Sequence, residues 1–309
     1  MSVLLLTHRA CLGHDMGPEA PECPDRLRRV IEALEAQRFS TLLRGEASLA
    51  TGEQLLRVHA PDHVESILAL RPGPGERVQL DLDTAMSEGS VDAALRAAGA
   101  GVAAVDAVLA GEARRAFCAV RPPGHHAEPD RAMGFCLFGN AAVAVRHAQA
   151  AHGLRRVALL DFDVHHGNGS QAVFWDDPAV FFASTHQMPL YPGTGAARER
   201  GCGNIWNLPL APGSRSEAFH AAWEGTILPE LRAFVPELIV ISAGFDAHAR
   251  DPLAQLRLEE EDFRRVTAAI CEVAREVCGG RVVSLLEGGY DLVALARSVA
   301  AHVQALMDA

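Results

Sequence analysis

Short apolar runs that end abruptly in glycine and polar residues recur along this chain, and amphipathic segments separate them. Residues 25–38 and 259–277 each carry apolar side chains along one helical face. The apolar runs with their polar ends occupy residues 3–7, 116–127, 156–169, 180–186, 238–246 and 282–290. Strands that alternate with helices predict an α/β protein whose parallel sheet is covered on both faces. No linker, repeat or break in composition interrupts the chain, so a single domain spanning residues 1–309 is predicted.

Composition excludes several classes of function. The chain is 49% hydrophobic and has a formal net charge of −11, without the basic cluster that nucleic-acid binding requires. It contains no lysine, since all 28 basic residues are arginine, which excludes Schiff-base and phosphate-loop lysine chemistry. No apolar run is long enough to predict a membrane span. Seven scattered cysteines without CxxC pairs indicate a reduced, cytoplasmic protein without a disulfide framework.

Residues 161–169 form a polar cluster directly after one of the apolar runs. The carboxyl end of a parallel strand is where open α/β sheets bind ligands. Alternate residues of an extended segment point the same way, so Asp163 and His165 can reach one cation, with Asp161 one step further back. An oxygen and a nitrogen ligand suit zinc, whose catalytic sites use three protein ligands and keep one position open. Asp246, at the end of another run, is predicted as the third ligand.

Two further strand ends carry groups suited to acid–base chemistry. His125 and His126 follow a Pro-Pro-Gly turn, and a tandem pair can supply a general base and a general acid when each imidazole has an orienting partner. Asp161 and Asn168 are the predicted partners, and a carboxylate leaves its imidazole more basic than an amide does. Tyr290, which follows two glycines, is predicted as a hydrogen-bond donor to an oxyanion. All four strand ends are expected to converge, because the carboxyl ends of parallel strands share one edge of the sheet.

Each of these patterns alone has a simpler structural explanation. A polar strand end can carry capping carboxylates, and a lone histidine is more often a hydrogen-bonded structural residue than a catalyst. A Gly-Gly-Tyr sequence is more often a turn with a packed tyrosine, and Phe135 and Tyr191 alone would be assigned to packing. Taken together, the four strand ends disfavour this explanation.

Six stretches occur in an order that is typical of one enzyme family. They are RPPGHHA from Arg121, MGFC from Met133, DFDVHHGNG from Asp161, YPGTG from Tyr191, GFDA from Gly244 and EGGY from Glu287. The chain thereby resembles the zinc-dependent deacetylases of the histone deacetylase and acetylpolyamine amidohydrolase superfamily. Asn168, where the other main branch has an aspartate, resembles the class II branch.

The resemblance implies a fold and two metal sites. The fold is the arginase/deacetylase type, a three-layer α/β/α sandwich with a parallel sheet. One catalytic Zn2+ is implied on Asp163, His165 and Asp246. A structural K+ is also implied. Its expected ligands are Asp161, the Ser184 hydroxyl and the backbone carbonyls of Asp163, His165 and Thr185.

The resemblance also implies a narrow tunnel that admits an acyl-lysine chain. Its expected lining is Gly134, Phe135 and Tyr191, and Ala20, Leu253 and Gly288 are further assigned to substrate binding. Ala20 departs from the family, which usually has a histidine at this point of the first loop, so it bears on substrate preference rather than on metal chemistry. Leu253 is apolar and offers nothing to a polyamine ammonium, although Glu19, Glu22 and Glu88 in flanking loops are alternative sources of charge.

The function implied is hydrolysis of an N-acetyl or other N-acyl amide on a lysine side chain or a related amine, and linear hydroxamates are the expected inhibitors. An acetylpolyamine amidohydrolase is the alternative of the same class. A two-manganese ureohydrolase is disfavoured because Gly167 stands where a second-metal ligand would be needed. A catalytically inactive acyl-lysine binding module is expected to have lost a ligand, a histidine or Tyr290. The physiological substrate, the oligomeric state and the choice between zinc and iron(II) stay open.

Overall fold

A sheet of eight parallel strands lies at the centre of the protein, in a computed structural model that describes residues 2–309. The strands in chain order are β1 (Val3–Thr7), β2 (Leu43–Glu46), β3 (Val78–Gln79), β4 (Ala85–Met86), β5 (Arg115–Cys118), β6 (Val157–Asp161), β7 (Val180–Gln187), β8 (Ile205–Leu210), β9 (Leu238–Ala243) and β10 (Val282–Leu286). The sheet has the order β2-β1-β5-β10-β9-β6-β7-β8, and β3 and β4 form a separate antiparallel hairpin. The parallel sheet that the apolar runs predict is therefore confirmed.

Helices cover both faces of this sheet. They are α1 (Pro24–Leu34), α2 (Gly52–Leu56), α3 (Pro61–Ala69), α4 (Ser90–Leu109), α5 (Asn140–His152), α6 (Asn168–Phe174), α7 (Ser216–Ala222), α8 (Leu228–Phe234), α9 (Glu260–Cys278) and α10 (Leu292–Asp308). Helices α4 and α5 pack against each other, while α10 packs between α1 and α9. Every residue of β5, β6, β7, β9 and β10 is buried, as expected for strands covered on both faces.

Several element boundaries differ from the sequence expectation. The helix predicted over 25–38 ends at Leu34, and Gln37–Phe39 forms a separate 3-10 turn. The sequence pattern does not predict β2, whose residues are mostly exposed at the sheet edge, or β8, which contains Asn207 and Pro209. The sequence pattern also does not predict the helical segment from Ser216 to Phe234.

The topology places four neighbouring strands, β5, β10, β9 and β6, at the middle of the sheet. These are the strands whose carboxyl ends carry the predicted histidines, tyrosine, third ligand and central acidic cluster. Convergence at one edge follows, because strands in a parallel sheet all end on the same side. Among the helices of residues 2–309, none is both long and apolar enough to cross a membrane.

Candidate active site

Three predicted metal ligands meet at the ends of β6 and β9. Asp163, His165 and Asp246 are buried, and one ligand atom from each lies within 4.8 Å of the others. The Nδ1 atom of His165 is 3.2 Å from Asp163 Oδ1 and 3.1 Å from Asp246 Oδ2. The remaining carboxylate oxygens are held by the backbone, since Gly288 N–H donates to Asp163 Oδ2 and Val164 N–H donates to Asp246 Oδ1. The other two oxygens, Asp163 Oδ1 and Asp246 Oδ2, are thereby directed toward His165.

The electrostatics of this cluster favour a cation. Burial raises the pKa of Asp246, and the neighbouring charge of Asp163 raises it further. Burial alone would lower the pKa of His165, but its hydrogen bonds to the two carboxylates raise that pKa to about 10. The carboxylates thus draw positive charge to the point where the three side chains meet. Two carboxylates and an imidazole in this arrangement fit the donor set of a divalent zinc-type ion.

The tandem histidines lie beside this cluster, each with the partner predicted for it. His125 Nδ1 is 2.9 Å from Asp161 Oδ2, and His126 Nδ1 is 2.8 Å from Asn168 Oδ1. Burial opposes protonation of both imidazoles. The carboxylates of Asp163 and Asp161 nevertheless raise the pKa of His125, whereas burial and the positive charges of His125 and His165 lower the pKa of His126. The two imidazoles therefore differ in proton affinity.

Glu287 is a supporting residue to which the sequence analysis assigned no role. Its Oε2 atom accepts hydrogen bonds from the backbone N–H groups of Gly124 and His125, at 2.6 Å and 3.1 Å. The Ser242 hydroxyl donates to its Oε1. Burial raises the pKa of Glu287 to about 7. Its signal in the sequence was its place at the start of the EGGY stretch, directly after β10.

A cavity of about 250 Å³ leads to the cluster. Among the described residues, its lining consists of Asp83, His126, Gly134, Phe135, His165, Leu190, Tyr191, Leu253 and Tyr290. The ring of Phe135 contacts the ring of Tyr290 edge-on, with centroids 5.8 Å apart. Burial raises the pKa of Tyr290 well above its usual range, although the Arg26 guanidinium opposes this, so the phenol keeps its proton as a hydrogen-bond donor.

Two predicted substrate residues do not line this cavity. Ala20 lies in a partly exposed turn before α1. Gly288 lies against the predicted metal ligands, where a Cβ atom would collide with the carboxylates of Asp163 and Asp246. Asp83, which the sequence analysis missed, supplies a carboxylate in the lining; its signal was the acidic loop over residues 81–83.

The three glutamates considered as sources of charge at the tunnel mouth have different surroundings. Glu22 is wholly buried and paired with Arg121 and Arg26, so it is unavailable to a substrate. Glu88 lines a separate cavity with Asp15. Glu19 is exposed in the first loop.

The residues expected to hold a monovalent cation lie on the adjacent strands β6 and β7 and in the segment directly after β6. Asp161 pairs in register with Ser184, and both are fully buried. The Ser184 hydroxyl lies 2.9 Å from His186 Nδ1, and Thr185 Oγ1 accepts a hydrogen bond from Trp223 Nε1. The strand register thus brings the predicted carboxylate and hydroxyl ligands side by side.

Comparisons with known proteins identify the family. Residues 20–306 match the histone deacetylase domain. A histone deacetylase-like amidohydrolase of Pseudomonas aeruginosa is 42% identical over 303 residues, which cover 91% of this chain and 79% of that protein. The polyamine deacetylase HDAC10 of Homo sapiens is 36% identical over 326 residues, covering 99% of this chain and 48% of that protein. The crystal structure of the HDA15 HD domain superposes with a TM-score of 0.93 at 34% identity, covering 100% of this chain and 89% of that one.

The chain belongs to the histone deacetylase family, as the sequence resemblance predicts. It is a hydrolytic deacetylase with the α/β sandwich of the arginase/deacetylase fold. The ureohydrolase alternative is disfavoured further by the space around Gly167, because a Cβ atom there would collide with the Asp161 carboxylate.

Proposed function

We propose that Asp163, His165 and Asp246 hold a zinc ion and that the protein hydrolyses N-acyl amides of lysine side chains in peptides. The observation that carries this proposal is the convergence of the three buried ligand atoms within 4.8 Å at the end of the cavity. When bound, zinc supplies Lewis acidity that polarises an acyl oxygen and makes a water more acidic. A single domain that includes residues 20–306 agrees with the extent of the family match.

His126 is the proposed general base, because it is the member of the tandem pair that lines the cavity. Its lowered pKa keeps Nε2 free to accept a proton from water, while Asn168 holds Nδ1. The same imidazole can then return the proton to the leaving amine. His125, whose pKa is raised beside Asp161, would retain its proton and stabilise negative charge nearby.

Tyr290 is proposed to donate its phenol hydrogen to the oxyanion that forms at the acyl carbon. The edge-on ring of Phe135 and the guanidinium of Arg26, 4.8 Å from the tyrosine ring centroid, hold the ring from two sides. A linear hydroxamate should reach the same groups through the cavity and compete with substrate.

The substrate preference proposed is acyl-lysine in a peptide over acetylpolyamine. Leu253 presents an apolar side chain at the cavity, and Glu22 is buried away from it. Asp83 supports the alternative, since its carboxylate lines the cavity and can hold a second ammonium as well as a peptide N–H group. The amidohydrolase and polyamine deacetylase among its relatives make both classes of substrate worth testing.

The test combines metal analysis with turnover. Purified protein should contain one zinc per chain and deacetylate an acetyl-lysine peptide, with kcat/KM above that for N-acetylputrescine and acetylspermidine at equal ionic strength. A polyamine preference of about tenfold, which corresponds to about 1.4 kcal/mol, would reverse the substrate assignment and point to Asp83. Absence of turnover with every acylated amine, at full zinc content, would favour the binding module.

A structural K+ near Asp161 and Ser184 is also proposed, supported by their paired register in the buried strands. Its removal should lower thermal stability, and K+ should restore that stability better than Na+. The seven cysteines, all without a disulfide in the structure, support the proposed cytoplasmic location.

A further inference from the structure

Phe135, in the cavity wall, has a backbone conformation that a bulky residue rarely adopts. Its φ is 68°, and that of the preceding Gly134 is 57°. The left-handed region crowds the Cβ atom of an L residue, so such a conformation persists only when the surroundings hold it in place. A larger residue at position 134 could not supply such support, because a Cβ atom on Gly134 would collide with the His126 imidazole. Backbone hydrogen bonds between Met133 and Cys136 close this turn locally, and contacts from elsewhere in the chain hold the two residues at its tip.

Those contacts come from Asp83 and Thr84, which are 51 residues away in sequence. The Phe135 N–H group donates to Thr84 Oγ1 at 2.9 Å, and the Gly134 N–H group donates to Asp83 Oδ1 at 3.1 Å. The Thr84 hydroxyl donates its own hydrogen to Asp83 Oδ1 at 2.8 Å. One hydroxyl thus links the carboxylate to the strained residue. We call this set of three hydrogen bonds the Thr84 clamp.

Thr84 is itself held in place by burial and by backbone hydrogen bonds. Thr84 is fully buried, directly before β4, and its carbonyl accepts hydrogen bonds from the backbone N–H groups of Leu80 and Asp81 at 2.8 Å and 3.2 Å. The side chain therefore has little freedom to follow Phe135 if that residue relaxes. The Phe135 N–H group is partly buried and would lose its acceptor without the hydroxyl, and an unpaired group of this kind is costly in free energy.

We infer that Thr84 is a positioning residue that sets the width of the substrate tunnel by holding Phe135 in its left-handed conformation. The consequence for substrate follows from the position of Phe135, since its ring contacts Tyr290 and lies in the same cavity lining as Tyr191. A linear acyl-lysine chain would contact this wall equally in the ground state and the transition state. Loss of the clamp should therefore weaken binding more than it slows chemistry. This inference rests on the proposed function.

Two substitutions at Thr84 separate the hydroxyl from the shape of the side chain. Thr84→Val keeps the volume and removes both hydrogen bonds of the hydroxyl, whereas Thr84→Ser keeps the hydroxyl and removes a methyl group. Thr267→Val is the matched control, because Thr267 is also fully buried and hydrogen-bonded, to the Phe263 carbonyl and to His302. It lies in α9, and its side chain is outside the cavity lining.

The experiment measures kcat, KM and the Kd of a linear hydroxamate for each zinc-loaded variant, well below its melting temperature. Thr84→Val should raise KM for an acetyl-lysine peptide about tenfold, raise the hydroxamate Kd in parallel and change kcat less than about threefold. Thr84→Ser should restore KM to within about twofold of the original value. Thr267→Val should lower the melting temperature without changing KM.

Three results would overturn the inference. KM and hydroxamate Kd unchanged in Thr84→Val would show that the hydroxyl does not position the wall. Equal losses in Thr84→Val and Thr84→Ser would assign the effect to the methyl group, and an equal rise of KM in Thr267→Val would assign it to general loss of stability. If the unmodified chain turns over no acylated amine, the proposed function fails and the inference fails with it. If the unmodified chain is active but Thr84→Val leaves KM and the hydroxamate Kd unchanged, only the inference about Thr84 fails.

Discussion

Two buried charged clusters in this protein differ in how their charge is balanced. In the first, Glu22 pairs with Arg121 and Arg26, and all three side chains are completely buried. In the second, Asp163 and Asp246 converge on a single imidazole. The arginines hold the pKa of Glu22 at about 2 in spite of its burial, whereas burial and Asp163 raise the pKa of Asp246. The first cluster supplies its own cations, and we call it the balanced cluster because its carboxylate is fully paired. The second, the unbalanced cluster, has an excess of carboxylate that attracts a cation from outside.

The balanced cluster also supports the catalytic loops. Arg26 donates hydrogen bonds to the carbonyls of Gly289 and Glu287, at 2.6 Å and 2.5 Å, on either side of Gly288. Arg121 donates to the carbonyls of Cys11 and His14 in the first loop. The arginines of the balanced cluster thus fix the backbone around the site, and the carboxylates of the unbalanced cluster are left for the proposed metal.

Removal of a carboxylate from the unbalanced cluster should have the largest effect. Asp246→Ala should abolish both zinc binding and turnover, because a three-ligand site has no spare ligand. The matched control is Asp106→Ala, which removes the carboxylate that two histidines share on the surface of α4 and α5. Metal analysis and the peptide assay would test this. Full zinc and full turnover in Asp246→Ala would mean that the ligand set is wrong.

Neutralising the acid of the balanced cluster should instead reduce stability. Glu22→Gln leaves two guanidinium groups without their buried counter-charge, and breaking such a pair costs about 3–5 kcal/mol. Glu32→Gln is the control, since the Glu32–Arg29 pair is mostly exposed and should be worth less than about 1 kcal/mol. Urea unfolding measures both. The comparison of the two clusters fails if Glu22→Gln is no more destabilising than Glu32→Gln.

Tyr290→Phe tests the residue that lies between the clusters. Its ring should keep the contacts with Arg26 and Phe135, so zinc content and the free energy of unfolding should stay near their original values. Without the phenol hydrogen, kcat should fall about 10²–10³-fold, as for the loss of one oxyanion donor. The His126 imidazole and the zinc site remain intact in this variant. An unchanged kcat would reduce Tyr290 to a packing residue.

The pH dependence of the free energy of unfolding should distinguish the two clusters through a smaller effect. The pKa of Glu22 is about 2 in the folded chain against an ordinary value of 4.5. Because the folded pKa is the lower one, ionised Glu22 stabilises the fold above about pH 4.5, and this contribution is lost as the pH falls toward 2. The stability difference between the original chain and Glu22→Gln, measured with chelator present, should shrink over that window by roughly 3 kcal/mol. A constant difference would mean that Glu22 is not held ionised by the arginines.

Sequence reasoning succeeded where the reactive side chains directly follow an apolar strand in the sequence. The apolar runs locate β5, β6, β9 and β10, and their polar ends carry the predicted acids, histidines and tyrosine at one edge of the sheet. It failed for Glu22, whose exposed-loop neighbours suggested a surface charge although the structure buries it completely. It also missed β8, because Asn207 and Pro209 obscure its strand pattern.

By itself the sequence determined the alternation of the central buried strands with helices, the residue types for metal and proton chemistry, and the family. These are local properties, since a buried strand needs apolar residues and a parallel sheet brings all strand ends to one side. Only the tertiary structure decided that Glu22 is balanced by arginines, that Glu287 holds the histidine loop and that Thr84 supports Phe135. The contact of Thr84 with Phe135 joins residues that are 51 positions apart in sequence, and those of Glu287 with the histidine loop join residues still further apart. The Glu22–Arg121 pair joins residues 99 positions apart. Hydrogen bonds and burial at such separations depend on how loops pack, which local sequence patterns do not encode.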